Sequence, residues 1–386
     1  MSSAVRIGLC YSAIFVGTGA MAPYMPVWFA ERGLSGAQIG LILSLPMLAR
    51  VVTAPALAVW ADSFALRRTP LILLSLATAL GYLLMAAPFG FPWWMAVWFV
   101  AASAFATLPP LTDVVALARA RTEGFNYGWP RGIGSAAFIV ANIVAGALLV
   151  ATSADAVLVW IVAAALLAAL ASRFLLPPDP VLEHGGVAEL RERLAGLGLL
   201  LKDRLFLLAV LSVGLIQSAH AFYYSFSALA WKAQGIPENL TGVLWGVRVA
   251  VEIVFMWFLE PWRRKIGPRR LLVIGGLAAL VRWTAYAFAP PLWLLFPLQA
   301  LHALSYAATF LASLQLVERL SSPVNMTAAQ TINSAFSSGL LAGLATLASG
   351  PLFDRYGAGG YLLMTAMSLI GVLGALRLYA ARRLED

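Results

Sequence analysis

Long stretches without a charged residue recur along this chain and constrain its fold more than any other feature. The runs Ile7–Ala30, Gly132–Ala154 and Leu205–Trp231 are each long enough to cross a bilayer as a helix, which takes about 20 residues. Of the 386 residues, 61% are hydrophobic and 11% are charged, whereas a soluble domain carries roughly 25% charged residues. A soluble chain of this length could not bury so much apolar surface, so the sequence predicts an all-α integral membrane protein.

The pattern predicts twelve transmembrane helices. Their expected ranges are 6–29, 37–61, 69–88, 92–117, 131–152, 155–176, 204–231, 240–260, 270–289, 292–317, 327–349 and 358–380. An even number places both termini on one side, and most of the 26 Lys and Arg residues fall on that side. Because cytoplasmic loops are rich in these residues, we expect both termini in the cytoplasm and the protein in a bacterial inner membrane. The net charge of +9 then reflects topology rather than nucleic-acid binding.

The two halves of the chain repeat each other. Segments 33–40 and 235–242 both begin and end with Gly, and the basic pair at 67–68 recurs at 269–270 with the same offset of 202 residues. A repeat of six spans in the same orientation is the parallel-repeat plan of major facilitator transporters. We therefore expect two pseudo-symmetric six-helix bundles, 1–176 and 204–386, joined by a cytoplasmic linker at 177–203.

Charges at several helix ends suggest a conformational latch. An ion pair between neighbouring helix ends can hold one conformation and release it in the other, although ordinary helix-end charges are an equally good reading. The candidate latch residues are Asp62, Arg67, Arg68, Asp354 and Arg355.

Charged side chains inside the spans mark the expected functional site, because a charge at the centre of a span costs roughly 2.5–3.5 kcal/mol on insertion scales. Arginines outnumber carboxylates there, which suits an anionic substrate, since an Arg fork can hold a carboxylate. These residues are Arg50, Asp113, Arg131, Arg248, Glu252 and Arg282, together with the histidines His220 and His302. For Arg50 and Arg248 the alternative is snorkelling or a tie between helices.

Two spans carry a face that mixes aromatic and hydrogen-bonding groups at helical spacing. Such a face suits the wall of a ligand site better than a surface towards lipid, and helix packing is the alternative. The two faces are Trp245, Arg248 and Glu252 in the eighth span, and Gln217, His220, Tyr224 and Ser227 in the seventh.

Several segments together form a more specific pattern. They are 36–43 with 48–50, 110–113, 127–131 with 134–138, 217–227, 281–283 and 298–302. On these segments, and over almost its whole length, the chain resembles the bacterial 3-phenylpropionate transporter family, which is related to lactose permease within the major facilitator superfamily. The resemblance implies a central cavity, alternating access and proton-coupled uptake.

The resemblance also implies roles for individual residues. By the match to lactose permease, Arg131 and Glu252 are candidates for substrate binding, and Arg282 and His302 for the proton-coupling network. Lactose permease has a proton-carrying Glu three residues after that His, where this chain has Ser305. Asp113, Glu252 and His302 then remain as candidates for the proton site.

These observations predict a secondary active transporter that couples protons to a small organic solute, with an aromatic or other carboxylate favoured. A sugar or nucleoside symporter, a drug exporter and a non-transporting receptor or scaffold are the alternatives. The candidate substrate-binding residues are Arg131, Glu252, Arg50, Gln217, His220, Tyr224, Trp245 and Arg248, and the candidate proton-coupling residues are Glu252, Asp113, Arg282 and His302.

Other classes of function have little support in the sequence. It contains no His, Cys, Asp and Glu cluster with the spacing of metal ligands, so we expect neither an enzyme nor a cofactor. The expected partners are the solute, protons and the bilayer, and the expected oligomeric state is a monomer.

Overall fold

The computed structural model describes residues 1–181, 198, 200–322 and 325–381, and helices dominate this part of the chain. Ten of its helical segments are long and apolar enough to cross a membrane; the longest, Ala328–Tyr379, holds two spans, and the shorter apolar helix Arg68–Leu84 adds one more. The predicted fold class, with twelve transmembrane helices, is therefore confirmed. Spans 1 to 12 are Ser3–Glu31, Gly36–Asp62, Arg68–Leu84, Phe91–Glu123, Gly128–Ala151, Asp155–Phe174, Arg204–Ala233, Glu238–Phe258, Pro268–Ala287, Leu292–Arg319, 326–356 and Tyr361–Tyr379.

The chain divides into two compact units. The first comprises residues 1–182 and 227–249, and the second comprises residues 183–226 and 250–386. Of the predicted linker 177–203, residues 182–197 and 199 lie outside the described part of the chain. The predicted domain boundaries stay a prediction.

The turns that follow spans 1 and 7 have the same backbone conformation. Gly33 and Gly235, matched by the repeat, have φ angles of +83° and +80°, a region that residues with a Cβ atom adopt only at a cost. Each glycine lies two residues beyond the last helical residue, Glu31 or Ala233. The sequence repeat thus has a structural counterpart at its first matched position.

Close packing of spans 1 and 5 positions the polar groups of the first unit. A Cβ atom at Gly134 would lie 2.5 Å from Cδ2 of Phe15 and 2.8 Å from Cβ of Tyr11, so only glycine allows this approach. Small residues at helix contacts have this effect in membranes generally. As a result, Arg131, about one turn before Gly134, lies over the rings of Tyr11 and Phe15 on span 1.

The sequence predicts spans 7 and 10 as continuous helices, but neither is a continuous α-helix in the structure. Span 7 is interrupted at residues 219–220, and span 10 contains a π-helical segment, Ala303–Ala308. The Nδ1 atom of His220 lies 3.0 Å from the carbonyl oxygen of Gln217, so the interrupted turn keeps a side-chain hydrogen bond. Segments of the π type are frequent at functional sites. The one in span 10 directly follows His302, and the interruption of span 7 contains His220.

Candidate functional site

A carboxylate with two phenol donors lies at the centre of the polar cluster in the first unit. Asp113 Oδ1 accepts a hydrogen bond from the hydroxyl of Tyr11 and one from the hydroxyl of Tyr127, the latter at 2.7 Å. Arg131 Nε lies 3.9 Å from the same oxygen. Span 4 supplies the carboxylate, span 1 and the start of span 5 supply its partners, and all of them face one another inside the unit.

Arg131 lies over aromatic rings. Its Cζ atom is 4.4 Å from the ring centroid of Phe15 and 5.3 Å from that of Tyr11. Aromatic faces attract a guanidinium, so the two rings hold the side chain in place. Arg131 and Asp113 are both partly exposed, at 38% and 31% of their side-chain surface.

A cavity of about 170 Å³ lies beside this cluster. Two guanidinium groups and two aromatic rings contribute to its wall, so it offers both positive charge and apolar surface. The lining residues are Phe15, Thr18, Arg131, Ser135, Phe138, Arg248 and Val249.

Arg248 is the second cation of the cavity. Its Cζ atom lies 4.7 Å from the ring centroid of Trp245 and 5.9 Å from that of Phe138. The indole N–H of Trp245 donates to Ser227 Oγ at 3.2 Å, which fixes the ring on which Arg248 rests. Trp245, a predicted substrate contact, therefore supports Arg248, while Ser227 anchors the ring.

In the second unit, a buried guanidinium organises a separate polar network. Arg282 is fully buried; its Nη1 donates to His302 Nδ1 at 2.6 Å, and its Nη2 donates to Gln299 Oε1 at 2.8 Å. The Gln299 amide in turn donates to the Tyr223 hydroxyl at 3.1 Å. Rings also surround the cation, with Cζ of Arg282 at 4.5 Å from the centroid of Trp283.

The hydrogen bonds of Arg282 determine where His302 carries its proton. A guanidinium can only donate, so Nδ1 of His302 must accept, and its one proton lies on Nε2. That Nε2 atom is 2.7 Å from Glu252 Oε1, and it therefore donates to the carboxylate. A second proton on His302 would set an N–H group against the N–H of Arg282, so this arrangement requires neutral His302.

His220 is the other buried histidine of the network. Because a carbonyl oxygen only accepts, Nδ1 of His220 donates to Gln217, and Nε2 accepts from the hydroxyl of Ser305 at 3.1 Å. Ser305 also lies 3.4 Å from Arg282 Nη1. Tyr224 stacks on the His220 ring with centroids 6.0 Å apart. Three predicted substrate-binding residues, at positions 217, 220 and 224, thus belong to this network.

The family follows from comparison with known proteins. A family model described as the MFS_1 like family matches residues 4–363. The chain belongs to this family of major facilitator transporters. Because this family comprises secondary transporters, the chain is a secondary transporter and not an enzyme.

The relatives of this transporter have names that point to different solutes. The chain is 32% identical over 391 residues to a maltose permease from Geobacillus stearothermophilus, covering 97% of this chain and 94% of the relative. It is 27% identical over 367 residues to a probable 3-phenylpropionic acid transporter from Escherichia coli (strain K12), covering 94% of each. The predicted resemblance is therefore confirmed at the level of the family.

Solved structures support the fold. A crystal structure of the nucleoside transporter NupG matches with a TM-score of 0.79 and 17% identity, covering 98% of this chain and 99% of that one. At this identity the match shows the major facilitator fold of the transporter and nothing about its solute.

Other predicted site residues of the transporter lie apart from these two clusters. Arg50 is exposed on span 2 and is not among the described residues that line the cavity. Of the latch candidates, Asp62 and Arg67 line a second, smaller cavity of about 30 Å³ in the first unit. Arg68 Nη1 donates to the carbonyl oxygen of Arg173 at 3.4 Å.

The remaining latch candidates are at the end of span 11. Asp354 and Arg355 are both exposed, and Cζ of Arg355 lies 5.3 Å from the ring centroid of Tyr356. An ion pair that the sequence did not single out joins Arg119, near the end of span 4, to Asp179 in the first unit. The latch role of the predicted residues stays a prediction.

Sequence reasoning missed several partners of the predicted residues. They are Tyr11, Phe15, Tyr127, Phe138, Tyr223 and Gln299. Helical spacing offered a signal for two of them: Gln299 is three residues before His302 in span 10, and Tyr11 is four before Phe15 in span 1. Helical spacing gave no signal for the others, although Tyr127, Phe138 and Tyr223 lie in segments that carry the resemblance.

Proposed function

We propose that this transporter carries a small organic carboxylate together with protons, by alternating access, in a bacterial inner membrane with both termini in the cytoplasm. The observation that carries the proposal is the cavity with two arginines, Arg131 and Arg248, set among the rings of Phe15 and Phe138. Guanidinium groups bind carboxylates with charge-assisted hydrogen bonds, and the rings suit an aryl or alkyl portion.

The size of the cavity supports a small solute. Pockets for drug-sized ligands measure roughly 300–1,000 Å³, and this cavity measures about 170 Å³. A monocarboxylate with one ring matches such a space better than a disaccharide does. The name of the relative from Escherichia coli, a probable 3-phenylpropionic acid transporter, points to the same class.

Glu252 is the proposed proton carrier. It is partly exposed, with 23% of its side-chain surface accessible, whereas His302 is fully buried and held neutral by Arg282. Asp113, the other candidate carboxylate, already accepts two phenol hydrogen bonds and faces Arg131. We assign Asp113 to holding Arg131, and Arg282 with His302 to orienting Glu252.

Uptake into proteoliposomes tests the substrate and its coupling. Labelled 3-phenylpropionate should accumulate under an inward proton gradient and only equilibrate without one. Unlabelled aryl carboxylates should compete, and their carboxamides should not. Competition by maltose alone would overturn the carboxylate assignment while leaving secondary transport intact.

The variant Glu252→Gln tests the proton carrier, with Glu318→Gln, an exposed carboxylate at the end of span 10, as its matched control. The amide oxygen of Gln can still accept from His302, so folding should be preserved. We expect E252Q to lose accumulation and keep exchange of solute for solute, while E318Q keeps both. Accumulation by E252Q at the wild-type level would exclude Glu252 as the carrier.

Sugar symport is a second candidate function, because the maltose permease is the more similar of the two relatives, at 32% identity. In that case the arginines would bind hydroxyl groups, and charge would contribute little to affinity. Comparing a carboxylate with its carboxamide therefore separates the two candidates directly.

A further inference from the structure

An exposed patch of rings and cations extends from the end of span 8 to the start of span 9 in the second unit. It consists of Trp257, Phe258, Trp262, Arg264, Lys265 and Arg270, and we call it the basic aromatic patch. Its three rings are 60%, 70% and 41% exposed. The short helix Glu260–Ile266 has no buried residue, so packing within the unit does not explain this composition.

Two neighbouring cations bind backbone carbonyl groups, whereas Arg264, Lys265 and Arg270 of the patch are exposed. Arg263 donates to the carbonyl oxygen of Met256 at 2.6 Å, and Arg269 donates to that of Tyr379 at 3.2 Å. The side chain of Arg264, in contrast, is 82% exposed and meets Glu260 only at 3.9 Å. An exposed contact of that length contributes little.

Tyr379 holds the third cation of the patch in place. Arg270 Nε lies 3.4 Å from the Tyr379 hydroxyl, and its Cζ lies 5.9 Å from the ring centroid. The side chain is therefore oriented before any ligand arrives, which lowers the entropy lost on binding.

Rings beside cations at the end of a span match the surface of a bilayer, where charged headgroups lie above apolar acyl chains. Trp side chains prefer the level of the headgroups, and a Lys or Arg near an anionic surface gains attraction to it. We propose that the basic aromatic patch binds an anionic phospholipid, with the cations at the phosphate and the rings among the upper acyl chains. Phosphatidylglycerol carries the required net negative charge. A zwitterionic lipid has the same phosphate, but its own cation offsets the attraction.

Native mass spectrometry of the purified transporter in detergent tests this proposal. Phosphatidylglycerol, phosphatidylcholine and inorganic phosphate are each titrated against three proteins. The first is the wild type, the second is R264Q/K265Q/R270Q, and the third is R6Q/R121Q/K202Q, which removes three exposed charges elsewhere. Thermal unfolding midpoints check that all three are folded.

The expected loss follows from the number of cations. Each basic residue near an anionic surface changes affinity by about fivefold, so the patch variant should bind phosphatidylglycerol on the order of 100-fold more weakly. Phosphatidylcholine binding should change little, and the control variant should resemble the wild type. R264Q alone removes a side chain that is 82% exposed, and it should weaken binding about fivefold.

Three outcomes would overturn the proposal. The wild type could bind phosphatidylglycerol and phosphatidylcholine equally. The control variant could lose as much affinity as the patch variant, which would mean that net charge rather than this patch attracts the lipid. Inorganic phosphate could displace the lipid at similar concentration, which would mean a simple anion site. Because the measurement is lipid binding, none of these results depends on which solute is carried.

Discussion

Replacing Arg131 with Gln tests the carboxylate site most directly. Gln keeps a hydrogen-bond donor at the position of the arginine Nε, but it is shorter and removes the charge and the fork. A hydrogen bond to a charged group contributes about 1.5–3 kcal/mol. Since about 1.4 kcal/mol corresponds to tenfold in Kd, R131Q should lose about 10- to 150-fold in affinity for a carboxylate from this term alone. The same term applies to R248Q.

Because of Asp113, the loss of carboxylate affinity should differ between R131Q and R248Q. The three ionised groups of the cluster, Arg131, Arg248 and Asp113, sum to one positive charge, and Arg131 is the cation that faces the carboxylate at 3.9 Å. Without it, Asp113 acts on the bound anion directly. Two like charges about 6 Å apart at an effective dielectric constant of about 20 repel by about 3 kcal/mol, and partial exposure reduces this.

We therefore expect R131Q to lose at least about tenfold more carboxylate affinity than R248Q. The double variant R131Q/D113N should recover this excess, because Asn still accepts from the phenol groups but carries no charge. A coupling of this kind between neighbouring side chains is what a double-mutant cycle measures.

The assay is equilibrium binding of 3-phenylpropionate and of 3-phenylpropanamide to each purified variant, with R121Q, an exposed arginine at the end of span 4, as the control. The carboxylate should lose affinity in R131Q and R248Q, while the amide changes by less than about threefold. Equal losses for the two ligands would show that the arginines act on shape rather than charge. A double variant no better than R131Q would refute the role given to Asp113.

Three further substitutions test how the units are built. Lys232→Ala removes a cation whose Nζ lies 2.8 Å from Glu31 and 3.0 Å from Glu238. Because exposed pairs contribute about 0.2–1 kcal/mol each, the unfolding midpoint should fall by a few degrees in low salt and hardly at all in 1 M salt. A fall that is the same at both salt concentrations would contradict an ionic role. Gly134→Ala introduces a Cβ 2.5 Å from Phe15 and should destabilise the protein by about 1–3 kcal/mol through overpacking. The same change at Gly33 places no atom within 4 Å of the added Cβ, so it should cost only about 1 kcal/mol, the penalty of the positive φ angle. Similar costs for the two variants would show that spans 1 and 5 can separate. In Arg282→Lys, the ammonium group cannot reach both the imidazole of His302 and the amide of Gln299. The free energy of unfolding, measured with heat or denaturant, should therefore fall by about 1.5–3 kcal/mol. No such loss is expected for Arg270→Lys on the surface.

The sequence was sufficient for the spans but not for their interruptions. Apolar length and helical period determine where a chain crosses a membrane, and the predicted ranges agree with the observed helices within a few residues at most ends. The interruption at His220 involves a side chain that bonds to the carbonyl of its own preceding turn. Hydropathy does not register such a bond, because His220 lies in an otherwise uncharged run.

Long-range partners were predictable only where a resemblance supplied them. The approach of Arg282 to His302 followed from their spacing in a known transporter, and the structure places their nitrogens 2.6 Å apart. The bond from Tyr11 to Asp113 spans 102 residues, and no local pattern connects positions so far apart. Arg50 illustrates the opposite case, since a charge inside a span indicates function in general, yet this one is exposed.

The serine at position 305 changes how a proton can act in the second unit. A carboxylate there would lie close to the guanidinium of Arg282, which is 3.4 Å from the present hydroxyl, and would compete with His302 for its donors. With serine, Arg282 donates to neutral His302, whose Nε2 lies 2.7 Å from Glu252 Oε1. The three side chains thus form one chain of hydrogen bonds. Arg282, His302 and Glu252 then carry no net charge while Glu252 is ionised and one positive charge once it is protonated. A buried net charge is costly within a membrane, so on the proposed mechanism protonation of Glu252 favours a conformation in which Arg282 gains water or an anion.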